Sequence, residues 1–253
     1  MFAQERRSEI LKILMNKTKV RVKELSLNFG VSEVIIRKDL KLLEEEGKLE
    51  RTHGGAILKK EIPMDISLNH RKVVNLGGKK KIVSKLYKII QEEEIIFLDS
   101  SSTNLLLAEK LAESPKKITV VTNMLDIMKC LDGVDKIELI GIGGAYHSLL
   151  GIFLGGLALD AVRKINTQKL FLGGTGIDVS KGNISIIDSN EATLKKAMIQ
   201  MASKVYFVCE KDKFYSYGIY NFGTLNDLDA VVVDEKIEKQ FEDKLRENDV
   251  EII

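Results

Sequence analysis

The sequence predicts an α/β protein: an N-terminal winged helix-turn-helix domain followed by a larger α/β domain with a mostly parallel sheet. Two patterns predict it. The first 60 residues run helix, short helix, tight turn, helix, hairpin. From about residue 76, short apolar strands alternate with amphipathic helices, the order that produces a parallel sheet covered by helices. The expected boundaries are a first domain at 1–60, a loosely packed linker at 61–75 and a second domain at 76–253.

Each element follows from its residues. The helix over 4–16 places Ile10, Leu11, Ile13 and Leu14 on one stripe. Residues 17–21 are a polar break. Residues 22–29 form a short helix with Leu25 and Phe29 four apart, stopped by Gly30. Ser32 caps the next helix, which runs to about Glu46 and ends at Gly47; its apolar stripe is Ile36, Leu40 and Leu43. Residues 48–60 read as a hairpin around Gly54-Gly55. The stretch 61–74, with Pro63, has a weak pattern. Then come helix 76–91, strand 95–99, helix 103–113, strand 118–122, helix 124–131, strand 136–140, helix 155–165, strand 169–172, helix 189–203, strands 205–209 and 230–234, helix 236–246 and a last strand at 249–253.

Composition narrows the function class. With 44% hydrophobic and 30% charged residues, the chain reads as soluble and globular. No apolar run approaches the roughly 18 residues a spanning helix needs, and the N-terminus shows no secretory signal, so a cytoplasmic protein is expected. Cys130 and Cys209 stand far apart without a Cys or His partner, so they read as free thiols rather than a metal site. The net charge of +2 is divided unevenly. Residues 1–60 hold 14 Lys and Arg against 9 Asp and Glu; the rest holds 25 against 28. A basic head on a slightly acidic body suits a head that meets a polyanion.

The head has the parts of a duplex reader. A major groove about 12 Å wide admits one α-helix, which needs a second helix packed across it to hold its angle. Ser32, Glu33, Ile35, Arg37, Lys38 and Lys41 lie at the start or on the outer faces of the third helix. Arg37 and Lys38 either reach guanine edges and phosphates or form an ordinary solvated face. Arg51 and His53, with Lys48, Lys59 and Lys60, suit a wing against the sugar-phosphate backbone.

In the second domain, 99–104 (Asp-Ser-Ser-Ser-Thr-Asn) follows a strand and opens a helix. Hydroxyls and free N–H groups there make an anion site, or a simple cap and turn. Loops at Thr122-Asn123, Gly143-Gly144, 173–176 and Asp178 fall at other strand ends, where open α/β sheets bind ligands. None has the G-x-G-x-x-G spacing, so no dinucleotide cofactor is expected.

These motifs, in this order, resemble the DeoR family of regulators. In the head the matching pieces are Val22-Lys23-Glu24-Leu25, Phe29-Gly30-Val31-Ser32, Ile36-Arg37-Lys38-Asp39-Leu40, Leu43, Gly47 and Arg51-Thr52-His53-Gly54-Gly55-Ala56. Ile35 stands where the family usually has Thr, and Lys38 where it has a second Arg. The second half is similar to the family's sensor domain, itself related to ribose-5-phosphate isomerase. The matches are Asp99 and Thr103, Thr122-Asn123, Gly143-Gly144, Gly176 and Asp178, Glu191 and Lys213-Phe214. Ser101 replaces the usual Gly.

The resemblance implies a repressor of sugar metabolism genes, relieved when a phosphorylated sugar or related metabolite binds. Its partners are then an operator in double-stranded DNA and that effector, with no membrane, and it works as a homodimer or higher homo-oligomer. Ser101, Ser102 and Thr103 would hold the phosphate, Lys213 would supply countercharge, and Asp178 and Glu191 would accept sugar hydroxyls. The competing class is a sugar-phosphate isomerase-like enzyme carrying a DNA-binding module, with Asp178 or Glu191 as base.

Overall fold

In the computed structural model, which describes residues 2–17, 19–46, 48–58 and 67–253, the chain divides into two units. One is built on Met1–Glu61, the other on Ile62–Ile237 and Phe241–Ile253. The first contains α1 (Ala3–Lys17), β1 (Lys19–Arg21), α2 (Val22–Phe29), α3 (Glu33–Glu45), β2 (Leu49–Thr52) and β3 (Gly55–Leu58). Ile10, Leu11 and Leu14 of α1 meet Leu25 of α2 and Ile36, Leu40 and Leu43 of α3 in one buried cluster. Val20, Leu49 and Ala56 close it from the sheet side, and Val22 joins it from the start of α2. The antiparallel strands lie in the order β1-β3-β2.

Two local devices set the angle between α2 and α3. Gly30 takes φ +63°, where a Cβ is unfavourable, and the Ser26 hydroxyl donates to the Val31 carbonyl at 2.6 Å. Ser32 then caps α3 by accepting from the Ile35 N–H. Between α1 and α3, Arg6 Nε donates to Asp39 Oδ2 at 2.6 Å, with side chains only 9% and 4% exposed.

Two expectations for this unit change. Residues 19–21 are a strand, because Val20 turns inward between exposed Lys19 and Arg21. The hairpin turn is His53-Gly54, one residue earlier than expected. Gly55 lies inside β3, where a Cβ would sit 2.0 Å from the Val20 carbonyl oxygen. The expected cap at Gly47, and Lys59, Lys60 and Pro63, lie outside the described residues.

The second unit runs α4 (Leu68–Val73), α5 (Leu76–Ile89), β4 (Ile95–Leu98), α6 (Ser102–Ala112), β5 (Ile118–Thr122), α7 (Leu125–Leu131) and β6 (Ile137–Gly141). Next come β7 (Ala145–His147), β8 (Ile152–Leu154), α8 (Gly156–Val162), β9 (Thr167–Leu172), β10 (Gly176–Asp178), β11 (Asn183–Ile186), α9 (Ser189–Gln200) and β12 (Ala202–Cys209). The chain ends with β13 (Tyr220–Thr224), β14 (Ala230–Val233), α10 (Lys239–Glu247) and β15 (Glu251–Ile252).

Seven strands form one parallel sheet in the order β15-β14-β12-β9-β4-β5-β6. Their near-continuous apolar runs, such as 205–209 and 230–233, suit strands buried on both faces. From β4 the chain steps to β5 and β6, then returns to the other side of β4 for β9 and continues outward. The direction of winding therefore reverses between β4 and β9, and the loops leaving these two strands part to open a crevice.

Three features depart from the sequence expectation. A hairpin pairs β7 with β8, and a small antiparallel sheet has the order β10-β11-β13. Their three- to five-residue strands carry polar residues such as Asp178, Asn183 and Ser185, so no apolar period marks them. The expected loose linker at 61–75 is corrected for its described part. Residues 68–73 are helical, Ser67 caps α4 by accepting from the His70 N–H, and Leu68 is buried. Residues 61–66 lie outside the described residues. Cys130 and Cys209 are free thiols; burial pushes both up, Cys209 far more.

Candidate DNA-reading helix and effector cavity

The outer face of α3 follows from its buried stripe. With Ile36, Asp39, Leu40 and Leu43 turned inward, Val34, Ile35, Arg37, Lys38 and Lys41 are exposed. Ser32 is exposed at the helix start, and Glu33 pairs with Arg37 at 2.5 Å across one turn. Exposed pairs of this kind contribute a few tenths of a kcal/mol, so Arg37 can exchange Glu33 for another anion at little cost. On the hairpin, Arg51 places its guanidinium 3.8 Å from the Glu44 carboxylate, and His53 stands exposed in the turn. Of the eight residues expected to meet DNA, Ser32, Ile35, Arg37, Lys38, Lys41, Arg51 and His53 are exposed and Glu33 is half-buried. Val34, 71% exposed, joins them; a β-branched apolar residue left in water on a recognition helix was the available signal.

In the second unit a cavity of about 270 Å³ opens at the reversal point between β4 and β9. Its floor is the loop from β4 into α6, with Ser100, Ser101, Ser102 and Thr103, and the loop after β9, with Gly173, Gly174 and Thr175. One side carries Asp188, Glu191 and Lys195 of α9 and its cap; another carries Glu210 and Lys213 after β12. The remaining wall holds His70, Arg71, Val74 and Lys79.

The charges in it are held in place. Lys195 is 2% exposed; its Nζ reaches Asp99 Oδ2 at 2.5 Å, Ser100 Oγ and Glu191 Oε1 at 3.5 Å. The Ser100 hydroxyl donates to Glu191 Oε1 at 2.6 Å. Lys79 Nζ donates to the carbonyls of Arg71 and Val74 and lies 3.4 Å from Glu210 Oε1. Burial pulls the Lys79 ammonium below the usual lysine range, against the opposing pull of Glu210. Ser101 caps α6 by accepting from the Asn104 N–H, which leaves the first-turn N–H groups of Ser102 and Thr103 without an intrahelical acceptor. A helix start with two hydroxyls, facing several lysines, suits a small anion.

Of the expected effector residues, the structure gathers Ser101, Ser102, Thr103, Glu191 and Lys213 around this cavity. Asp99 lies beneath it, wholly buried, and accepts from the N–H groups of Ser101 and Gly173, the Asn104 amide and Lys195. These bonds tie the loop after β4 to the loop after β9, and Asp99 itself is not among the lining residues. Thr122, Asn123, Gly143 and Gly144 line none of it, because they end or follow β5 and β6, away from the reversal point. Asp178 is not among the lining residues and accepts from the N–H groups of Ser180 and Lys181 and the Ser180 hydroxyl. Sequence reasoning missed Lys195, Lys79, Arg71 and His70. Among the described residues, no His, Cys, Asp and Glu group could hold a metal ion, and no helix is long and apolar enough to cross a membrane.

Comparison with known proteins matches both parts of the chain. Residues 6–61 fit the family model of the DeoR-like helix-turn-helix domain, and residues 74–235 that of the DeoR C terminal sensor domain. The uncharacterized HTH-type transcriptional regulator YulB of Bacillus subtilis (strain 168) is 32% identical over 250 residues, 96% of this chain and 95% of that one. The lactose phosphotransferase system repressor of Lactococcus lactis subsp. lactis is 28% identical, covering 95% and 94%. A solved D-ribose-5-phosphate isomerase in complex with phospho-erythronic acid matches 54% of this chain and 53% of its own, at 16% identity and a TM-score of 0.40. With both family domains present in order, the chain belongs to the DeoR family of helix-turn-helix transcriptional regulators.

Proposed function

We propose that this regulator represses sugar metabolism genes and releases its operator when a phosphorylated sugar or related metabolite fills the cavity at the β4–β9 reversal. The observation that carries the reading is the cavity floor. The start of α6 offers Ser102 and Thr103 to a phosphate, Lys195 and Lys213 supply countercharge, and Asp188, Glu191 and Glu210 are acceptors for sugar hydroxyls. A relative named for repressing a lactose phosphotransferase system supports the sign and the sugar.

Ile35, Arg37, Lys38 and Lys41 read the major groove from α3, with Ser32 and Glu33 at its start, while Arg51 and His53 meet the backbone from the hairpin. A symmetric dimer in the cytoplasm sets two such helices on successive major-groove faces. Sensing is favoured over turnover because the same chain carries a helix-turn-helix domain and its relatives are named as transcriptional regulators and repressors.

The test is footprinting on genomic DNA with and without a panel of pentose and hexose phosphates, beside an isomerase assay on the same panel. Release of a specific footprint by at least one sugar phosphate, with no turnover, is expected. A footprint that no phosphorylated compound moves, or clear isomerisation, overturns the reading. On the same operator, Arg37→Ala should weaken binding by about 1–3 kcal/mol if Arg37 contacts a base edge. Titrating labelled duplex checks this, and an unchanged dissociation constant removes Arg37 from the interface.

A further inference from the structure

Val34 and Ile35 stand side by side in the first turn of α3, 71% and 40% exposed. At about 100° per residue, Val34, Lys38 and Lys41 fall on one line along the helix. That line runs opposite the buried Ile36, Leu40 and Leu43, so Val34 occupies the middle of the outward face. Ile35 lies to one side of it and Arg37 to the other. The face is therefore divided. Its start is apolar and β-branched, while its far flank and later turns carry the exposed cations Arg37, Lys38 and Lys41.

A helix set in the major groove brings its first residues to the base edges. Neither Val34 nor Ile35 has a side-chain donor or acceptor to offer there. Among the features that base pairs present in that groove, the thymine C5 methyl is the one an apolar side chain recognises. Contact between the two removes apolar surface of both from water. The cations indicate which partner covers this face. Arg37, Lys38 and Lys41 suit the phosphates that border a groove, whereas a second copy laid face to face across a twofold axis would set like charges together. Resting on the reading of α3 as the helix that enters the groove, we propose that Val34 and Ile35 are specificity-determining residues that select thymine in the operator through its methyl group. The start of α3 thereby reads shape and apolar surface, and the cations behind it supply the charge.

The experiment uses the full chain and an operator duplex selected from a random-sequence pool. Each thymine is replaced in turn by uracil, which lacks only the methyl. At one or more positions the wild type should bind the uracil duplex roughly 3–10-fold more weakly, on the scale of one buried methyl group. At those positions 5-methylcytosine should bind better than cytosine, because it restores the methyl while still presenting an amino donor in place of the O4 acceptor. Val34→Ala and Ile35→Ala change exposed positions and should keep the wild-type thermal midpoint. Each should lose most of the thymine preference at the position its side chain reads. A wild type that binds thymine and uracil duplexes equally throughout overturns the proposal; a loss with Arg37→Ala on the same operator then leaves α3 in the groove. A thymine preference retained in full by both alanine variants and by the double variant overturns it too. So do alanine variants that bind DNA as wild type does but sediment as a different oligomer, which would make this face a protein contact. A full chain that selects no duplex overturns the groove reading and this inference together.

Discussion

Asp39→Asn is expected to unfold the DNA-reading unit of the full-length protein and abolish operator binding. The substitution keeps the shape of the side chain but leaves the Arg6 guanidinium, 9% exposed, without its carboxylate. Removing one partner of a buried ion pair costs about 3–5 kcal/mol. A unit of this size, with eleven apolar residues in its buried cluster among the described residues, has roughly that much stability in total. Urea titration followed by circular dichroism should lose an early helical transition, and labelled operator should not bind. The double replacement Arg6→Met with Asp39→Leu removes both charges and should restore folding, since apolar substitutes for a buried pair are often neutral or stabilising. An Asp39→Asn protein with the wild-type urea profile would show that the pair does not hold α1 to α3.

Lys195→Met should lower the thermal midpoint of the sensor unit and remove its response to phosphorylated ligands. Met keeps the length of the stem, but Asp99 and Glu191 lose the ammonium between them. Asp99 retains three other donors, so the floor is weakened rather than destroyed. A loss of about 3–5 kcal/mol in a unit of this size corresponds to a midpoint lower by roughly 6–20 °C. Adding Asp99→Asn should recover part of that loss, because the two sites share one interaction. Differential scanning calorimetry reads both numbers. A single variant within about 2 °C of wild type would show that the lysine contributes little to the floor.

Much of the architecture was legible because periodicity reports burial. Ile36, Leu40 and Leu43 mark the inner face of α3, and by exclusion Arg37, Lys38 and Lys41 mark the outer one. The apolar runs of the parallel sheet stand out for the same reason, and the run of hydroxyls after β4 announces a helix start. What escaped were charged residues placed on apolar faces. Asp39 falls beside Leu40 on the inner stripe, and Lys195 shares the inner face of α9 with Glu191, Leu194 and Met198. A carboxylate or ammonium in such a position demands a partner, and that partner, Arg6 or Asp99, is 33 or 96 residues away. Strand order is equally non-local. Thr122, Asn123, Gly143 and Gly144 sit at strand ends just as Ser102 does. Only the pairing of β4 with β9 separates the loops that line the cavity from those that do not.

The position of α4 bears on where this protein can be cut and joined. A hybrid regulator made by grafting the second half onto a foreign DNA reader at residue 74, where the sensor match begins, would discard His70, Arg71 and the buried Leu68. The graft would keep the sheet and lose one wall of the cavity. A junction placed before Ser67 carries the cap, the helix and the guanidinium along with the sheet. In this protein the portable sensing module begins ahead of the stretch by which its family is recognised.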